Sequence, residues 1–371
     1  MADLMDEKTF LEFFKNTMLC YSNNLQRYIC NVLETEHKIT YDDQMKMGDS
    51  IDTLYFESKK DFKNIIIKTT TNKAFIKFYE EFEFKKLYKY SVPFFYEQKE
   101  GISLDNLLRE RGIVFFDSGN YNIEYVIDRT LKEATPLALK DNEKLFIKFT
   151  IQKIFIQPET YEQIDYRYPI VLYINTEKKF LEVRYDAFRF GESYDNGTYS
   201  KIVNTCISWI KENLSVELYS CEHNDTITII NDKQNSDVKM YKQMMELSTG
   251  GAAELTASES TDYVLPFIGE IKELIDENEV LFNDAEEIKQ LLLQYLNEKE
   301  ATASYPYIYV KWVKPVESQS YLVKVTFDYF DNKYTLLQHI TGNCKDLGME
   351  RMNDAIKYLC ESGAFVKGEK I

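Results

Sequence analysis

Seven apolar residues open the chain at helical spacing: Phe10, Phe14, Met18, Tyr21, Leu25, Tyr28 and Val32. Leu11, Leu19, Ile29 and Leu33 widen the stripe, which is the apolar face of an amphipathic helix. Asp6 and Glu7 fall in its first turn, where the helix dipole favours acids. The pattern predicts one long N-terminal helix of about 25–30 residues.

Downstream the period changes. Asn64–Thr70 is rich in β-branched residues and reads as a strand. Lys73–Tyr90 fits a helix and an alternating strand equally. Ser103 reads as the N-cap of a short helix, Leu104–Glu110, that Gly112 ends, and Ile113–Phe116 reads as a strand. Lys144–Ile156 alternates with period two, with Leu145, Ile147, Phe149 and Ile151 on one face. Pro169–Asn175 and Lys179–Asp186 are two strands joined at Thr176-Glu177-Lys178. A helix is predicted at Ser200–Asn213, and short strands at Val216–Cys221 and Thr226–Ile230.

Ser248–Thr261 holds small and polar residues, a Gly pair and a single Leu, which marks a linker or mobile loop. Two acidic helices follow, Tyr263–Glu277 and Asp284–Glu298, the second with an apolar stripe of Ile288, Leu291, Leu292, Tyr295 and Leu296. Strands at Tyr307–Val313, Tyr321–Tyr329 and Tyr334–Ile340, then a helix at Met349–Glu361 capped by Gly363, complete a β-meander with one packed helix. Three strands, a helix and two further strands are an α+β order rather than a βαβ repeat. The expected organisation is an N-terminal α+β domain (residues 1–140), a central sheet-helix domain (141–247), the linker (248–261) and a C-terminal part of acidic helices, small sheet and helix (262–371).

Composition narrows the function classes. With 371 residues and 44% hydrophobic residues, the chain can bury a large core, which excludes global disorder. Its net charge of −16 disfavours general coating of nucleic acid. The charge is uneven. Residues 251–300 carry 13 acids against three lysines, whereas residues 305–371 carry nine bases and eight acids. The acidic helices, with Glu270, Glu273 and Glu277, therefore form a candidate surface for a partner with a basic face, or for self-association. Six scattered cysteines without a CxxC motif read as free thiols in a reducing compartment. The start of the sequence is acidic and lacks an apolar core, unlike a signal peptide, and no stretch is apolar enough to span a membrane. A cytoplasmic location is the expectation.

Candidate chemistry is sparse. Three histidines, no GxSxG elbow and no phosphate-binding glycine loop leave no cofactor to expect. Cys221 and His223 would be half of a zinc site, with no second pair nearby. The enzyme-like pattern is Glu182, Arg184 and Asp186, alternating on one strand just after Glu177 and Lys179. Carboxylates and a cation on adjacent strands hold metal and phosphate in metal-dependent nucleases; an ordinary solvent-exposed strand face has the same pattern. A second pattern places Tyr307, Tyr309 and Lys311 on one face of a strand and Ile308, Val310 and Trp312 on the other. The first set could stack bases or face water.

The expected function is a non-catalytic binding or scaffold subunit of an intracellular multi-protein assembly. The Lys-, Ile-, Asn- and Tyr-rich composition suggests an AT-rich microbial genome and an accessory role such as phage defence. The alternative is a metal-dependent nucleic-acid-processing enzyme built on residues 180–186.

Overall fold

A computed structural model of the chain describes residues 5–41, 53–99, 101–117, 127–157, 159–188, 197–222, 226–232, 237–247, 251–256, 268–313, 320–329, 334–340 and 348–371. The fold is α+β, built on helices and mostly antiparallel strands. The chain divides into two compact units. Unit one is Met1–Tyr219 with Lys345–Glu350 and Lys370–Ile371, and unit two is Ser220–Cys344 with Arg351–Glu369. Of the expected linker, Ala252–Thr256 is a strand, and residues 248–250 and 257–261 lie outside the described set.

In unit one the N-terminal stripe folds as two helices, α1 (Glu7–Cys20) and α2 (Asn23–Thr35), not as one long helix. Tyr21 is extended, and Ser22 caps α2 by accepting the Leu25 N–H. The Gln26 side chain donates to the carbonyls of Leu19 (3.0 Å) and Tyr21 (2.8 Å). These bonds satisfy groups that a helix end leaves open, so the break is stable although the apolar period runs through it. A short parallel pair follows, β1 (Ile39–Thr40) with β2 (Leu54–Tyr55).

Residues 62–70 form a helix, α3 (Phe62–Thr70), where β-branched composition predicts a strand. Ile65, Ile66, Thr69 and Thr70 are its buried residues, a helical spacing, and the threonine hydroxyls bond back to the carbonyls of Ile65 (2.7 Å) and Ile66 (2.6 Å). Packing against α1 and α2 overrides local propensity here. The ambiguous stretch 73–90 resolves into a 3₁₀ turn, helix α4 (Ile76–Lys85) and the start of β3 (Tyr90–Gln98).

The remaining elements of unit one are α5 (Leu104–Glu110), β4 (Val114–Phe115), β5 (Leu137–Asp141), β6 (Lys144–Ile156), β7 (Gln163–Asn175), β8 (Phe180–Tyr185), α6 (Thr198–Leu214) and the first four residues of β9 (Val216–Glu222). Gly112, at φ 78°, ends α5 in the left-handed conformation that glycine adopts without penalty. The strands pair in the order β3-β8-β7-β6-β5-β4, and residues 216–219 of β9 pair with β3. All contacts are antiparallel except β4 with β5, which makes the sheet mixed.

The register puts Ile147, Leu172 and Val183 in one row of one face, and α6 lies on that side, where the rings of Phe149 and Trp209 meet at 5.2 Å. The other face carries Lys148, Val171, Arg184 and Ser91 in a single row.

Unit two contains α7 (Thr226–Asp232), β10 (Val238–Glu246), β11 (Ala252–Thr256), α8 (Ile268–Glu277), α9 (Glu286–Thr302), β12 (Tyr307–Trp312), β13 (Tyr321–Asp328), β14 (Tyr334–Ile340), α10 (Glu350–Glu361) and β15 (Val366–Lys370). Residues 226–230, expected as a strand, are helical in α7; Thr226 donates its hydroxyl to the Ala364 carbonyl at 2.6 Å. The predicted meander β12-β13-β14 is present and antiparallel, and the sheet continues past β12 through β10 to β11. Ile308, Val310, Trp312, Val323 and Val325 are its buried face.

Candidate interaction site

Three groups of residues stand out by sequence, and the structure treats each differently. On β8, Glu182 and Arg184 are each 1% exposed, so this is not a solvent-facing strand. Two Arg184 nitrogens donate to the Glu182 carboxylate, both at 2.9 Å, and Ser91 donates to it at 2.6 Å. The guanidinium also lies 3.9 Å from the Tyr173 ring centre. Asp186, further along, accepts from buried Lys86 and from the Lys89 N–H. These carboxylates are held by protein donors under the helices. The geometry is that of a buried ion pair, which costs several kcal/mol if one partner is removed. Among the described residues, no group of three or more His, Cys, Asp or Glu is arranged to hold a metal ion. His223 lies outside the described residues.

Beside this pair is a second buried network that sequence reading missed. Lys148 donates to the carboxylates of Glu80 and Glu83 and to the Glu80 carbonyl, and Arg167 bridges the same two acids at 2.9 and 2.8 Å. All four side chains are buried. Burial alone would raise the Glu80 pKa, but Arg167 and Lys148 together hold it down at about 2. Arg167 also stacks 3.7 Å from the Phe14 ring centre, and its N–H donates to Thr17. The network ties α1 and α4 to the sheet.

The helices α8 and α9 reverse that arrangement. They pack through Ile268, Ile275 and Leu296 onto Met245, with Ile271, Phe282 and Leu293 around them. The main apolar stripe of α9 faces away from that core. Ile288, Leu291, Leu292 and Tyr295 are 57%, 67%, 39% and 56% exposed, and their i, i+3, i+4, i+7 spacing makes one continuous ridge. Leu274, Val280 and Leu281 on α8 and the following turn are exposed as well. Seven of the 13 large apolar residues exposed among the described residues thus fall between positions 274 and 295; isolated exposed apolar residues are ordinary, whereas a concentration of them marks an interaction site.

Acids border the ridge. Asp284 and Glu287 lie one turn from Ile288 and Leu291, and Glu298 lies one turn from Tyr295. Glu270, Glu273 and Glu277 are exposed along one side of α8. Lys289 is committed to Glu279 at 2.9 Å, and Lys299 sits 5.2 Å from the Tyr295 ring centre.

The third group lies on the outer face of the unit-two sheet. Tyr307 and Tyr309 meet edge to face at 5.9 Å. Lys324 from β13 lies 3.7 Å from the Tyr307 ring centre, and its burial draws its pKa down. Tyr307 donates its hydroxyl to Glu254 at 2.7 Å, a bond that pushes the phenol up to about 12. Lys242 also binds Glu254 and lowers that carboxylate's pKa. Lys311 is half-buried on the same face, opposite Lys239. The sequence pattern marks Tyr307, Tyr309 and Lys311 but not the lysines that β10 and β13 bring beside them.

Among the described residues no helix is long and apolar enough to cross a membrane. Comparison with protein-family models and with curated proteins gives no match to this chain.

Proposed function

We propose that this protein is a non-catalytic binding subunit of an intracellular multi-protein assembly, and that it docks its partner on the α8–α9 ridge. The observation that carries the reading is the orientation of α9. An amphipathic helix normally buries its apolar stripe; this one anchors through Leu293 and Leu296 and leaves Ile288, Leu291, Leu292 and Tyr295 to solvent. Such a ridge is the anchor row of a helix-in-groove or helix-on-helix contact.

Charge selects the occupant. Residues 268–299 hold nine acids and three lysines, so a second copy would bring like charge onto like charge, while a basic amphipathic segment of another protein would meet complementary charge. The cytoplasm is the compartment this reading assigns.

The test is a photo-reactive residue at position 291 of the full-length chain in its native host. A covalent adduct to one protein through a basic segment, abolished in an Ile288→Asp variant of the same chain, supports the reading. An adduct to a second copy, or no adduct from this face while a partner copurifies through another surface, overturns it.

A further inference from the structure

We infer that the outer face of the unit-two sheet is a binding site for single-stranded nucleic acid, separate from the α9 ridge and independent of the reading above. Tyr309 is the stacking ring, and Lys239, Lys242, Lys311 and Lys324 are the phosphate contacts.

The register assembles this face. Lys242, Tyr309 and Lys324 stand in one row across β10, β12 and β13, and the next row places Lys239 opposite Lys311. Residues directly opposite each other share a face. The alternate residues Val238, Met240, Val310 and Val323 are buried, so all five of these side chains lie on the outer side. Lys242 and Lys324 lie 5.7 and 5.6 Å from the Tyr309 ring centre, one from each neighbouring strand. Strands are spaced about 4.8 Å apart, so the two lysines straddle a span of about 10 Å at the backbone with an aromatic ring between them. A ring flanked by cations is the arrangement that single-strand binders use, because every base offers a π-face and every nucleotide a phosphate.

Charge along the face is graded. The rows of Tyr309 and Lys311 carry four lysines. The carboxylates Glu254, Glu246 and Asp328 fall at the Tyr307 end, where Met244 pairs with Glu254 and Glu246 with Ala252. Four lysines, one of them paired with Glu254, gather on one face of a chain of net charge −16, a local concentration of positive charge. A duplex keeps its bases stacked and leaves Tyr309 without a role, and an acidic peptide has no use for the ring. The observations therefore favour a single strand over both. Glu254 is one internal competitor: its carboxylate occupies Lys242 until a phosphate replaces it.

The experiment is fluorescence anisotropy of a labelled oligothymidylate of about 20 nucleotides with the full chain across a salt series. Four phosphate contacts give a slope of log K against log salt of about −3. Tyr309→Ala should weaken binding about tenfold at fixed salt with that slope unchanged. Lys311→Gln should flatten the slope by about 0.7. Glu254→Gln should tighten binding, a gain that misfolding cannot produce. The inference is overturned by no binding at low salt, by indifference to both Tyr309→Ala and Glu254→Gln, or by equal affinity for duplex DNA or polyglutamate.

Discussion

Unit one puts charge inside, and the α8–α9 part of unit two puts apolar side chains outside. In the first, Glu80, Glu83, Lys148, Arg167, Glu182 and Arg184 are buried and matched to one another by bonds of 2.8–2.9 Å. In the second, Ile288, Leu291, Leu292 and Tyr295 have no such internal match among the described residues. Each inversion is a departure from the usual placement of residue types, but they differ in closure. A buried ion network finds its charge partners within the unit. The exposed apolar ridge has no such closure among the described residues. The contrast sets unmatched apolar surface in unit two against matched buried charge in unit one.

The contrast breaks most visibly at Lys148. A Lys148→Met variant leaves Glu80 and Glu83 sharing Arg167 alone in a dry environment, and should lose about 3–5 kcal/mol of stability in urea denaturation. A loss under 1 kcal/mol would mean that the network is solvated. Next in size is the β8 pair. Arg184→Met should cost about 3 kcal/mol, and Glu182→Met combined with Arg184→Met should cost less than that single change, because the stranded carboxylate goes too. A double variant as unstable as the sum of the singles would show the two residues acting separately.

Acid sharpens the same point. The Glu80 pKa is depressed to about 2 from an ordinary 4.5, so its contribution is fully present above about pH 4.5. That contribution falls away as the pH drops from there to about 2, at up to about 1.4 kcal/mol per pH unit. Chemical denaturation at stepped pH should show this fall in the parent and a smaller one in Lys148→Met. The smallest effect belongs to the ridge. Ile288→Asp and Leu291→Asp should each change stability by no more than about 0.5 kcal/mol, while removing partner capture. A large destabilisation would place these side chains in a core.

Much of this was legible beforehand. The meander β12-β13-β14, the hairpin β7–β8, the helices α6 and α10, and the glycine end of α5 follow from period and punctuation. What was missed has identifiable causes. Ser22 marks the α1–α2 break, but a continuous apolar stripe outweighs one polar residue on paper. The isoleucines and threonines of α3 favour strand until α1 and α2 pack against them. Strand β10 carries a register shift between Met240 and Lys242, so its inward residues change from Val238 and Met240 to Gln243 and Met245, and the alternation dissolves.

The candidate sites were less legible because periodicity shows that a face exists, not what lies over it. The alternation of Glu182 and Arg184 is the same under helices as under water. The stripe of α9 was read correctly as a stripe, with no signal in it for which way it would turn. Lys242 and Lys324 reach Tyr309 only through pairing between strands well separated in sequence.

The long hairpin β6–β7 has a consequence in time. It is flanked on both sides only near its base, where β5 ends its pairing at Lys148 and β8 at Val171. Pro169, which has no N–H to offer, falls just past that limit, where no β8 partner calls for one. Past Arg167 and Tyr166, which are still buried, the two strands run on to exposed Ile154, Ile156 and Tyr161. One continuous ladder therefore has two lifetimes: the tip frays and recloses locally, while the base opens only when the unit as a whole comes apart.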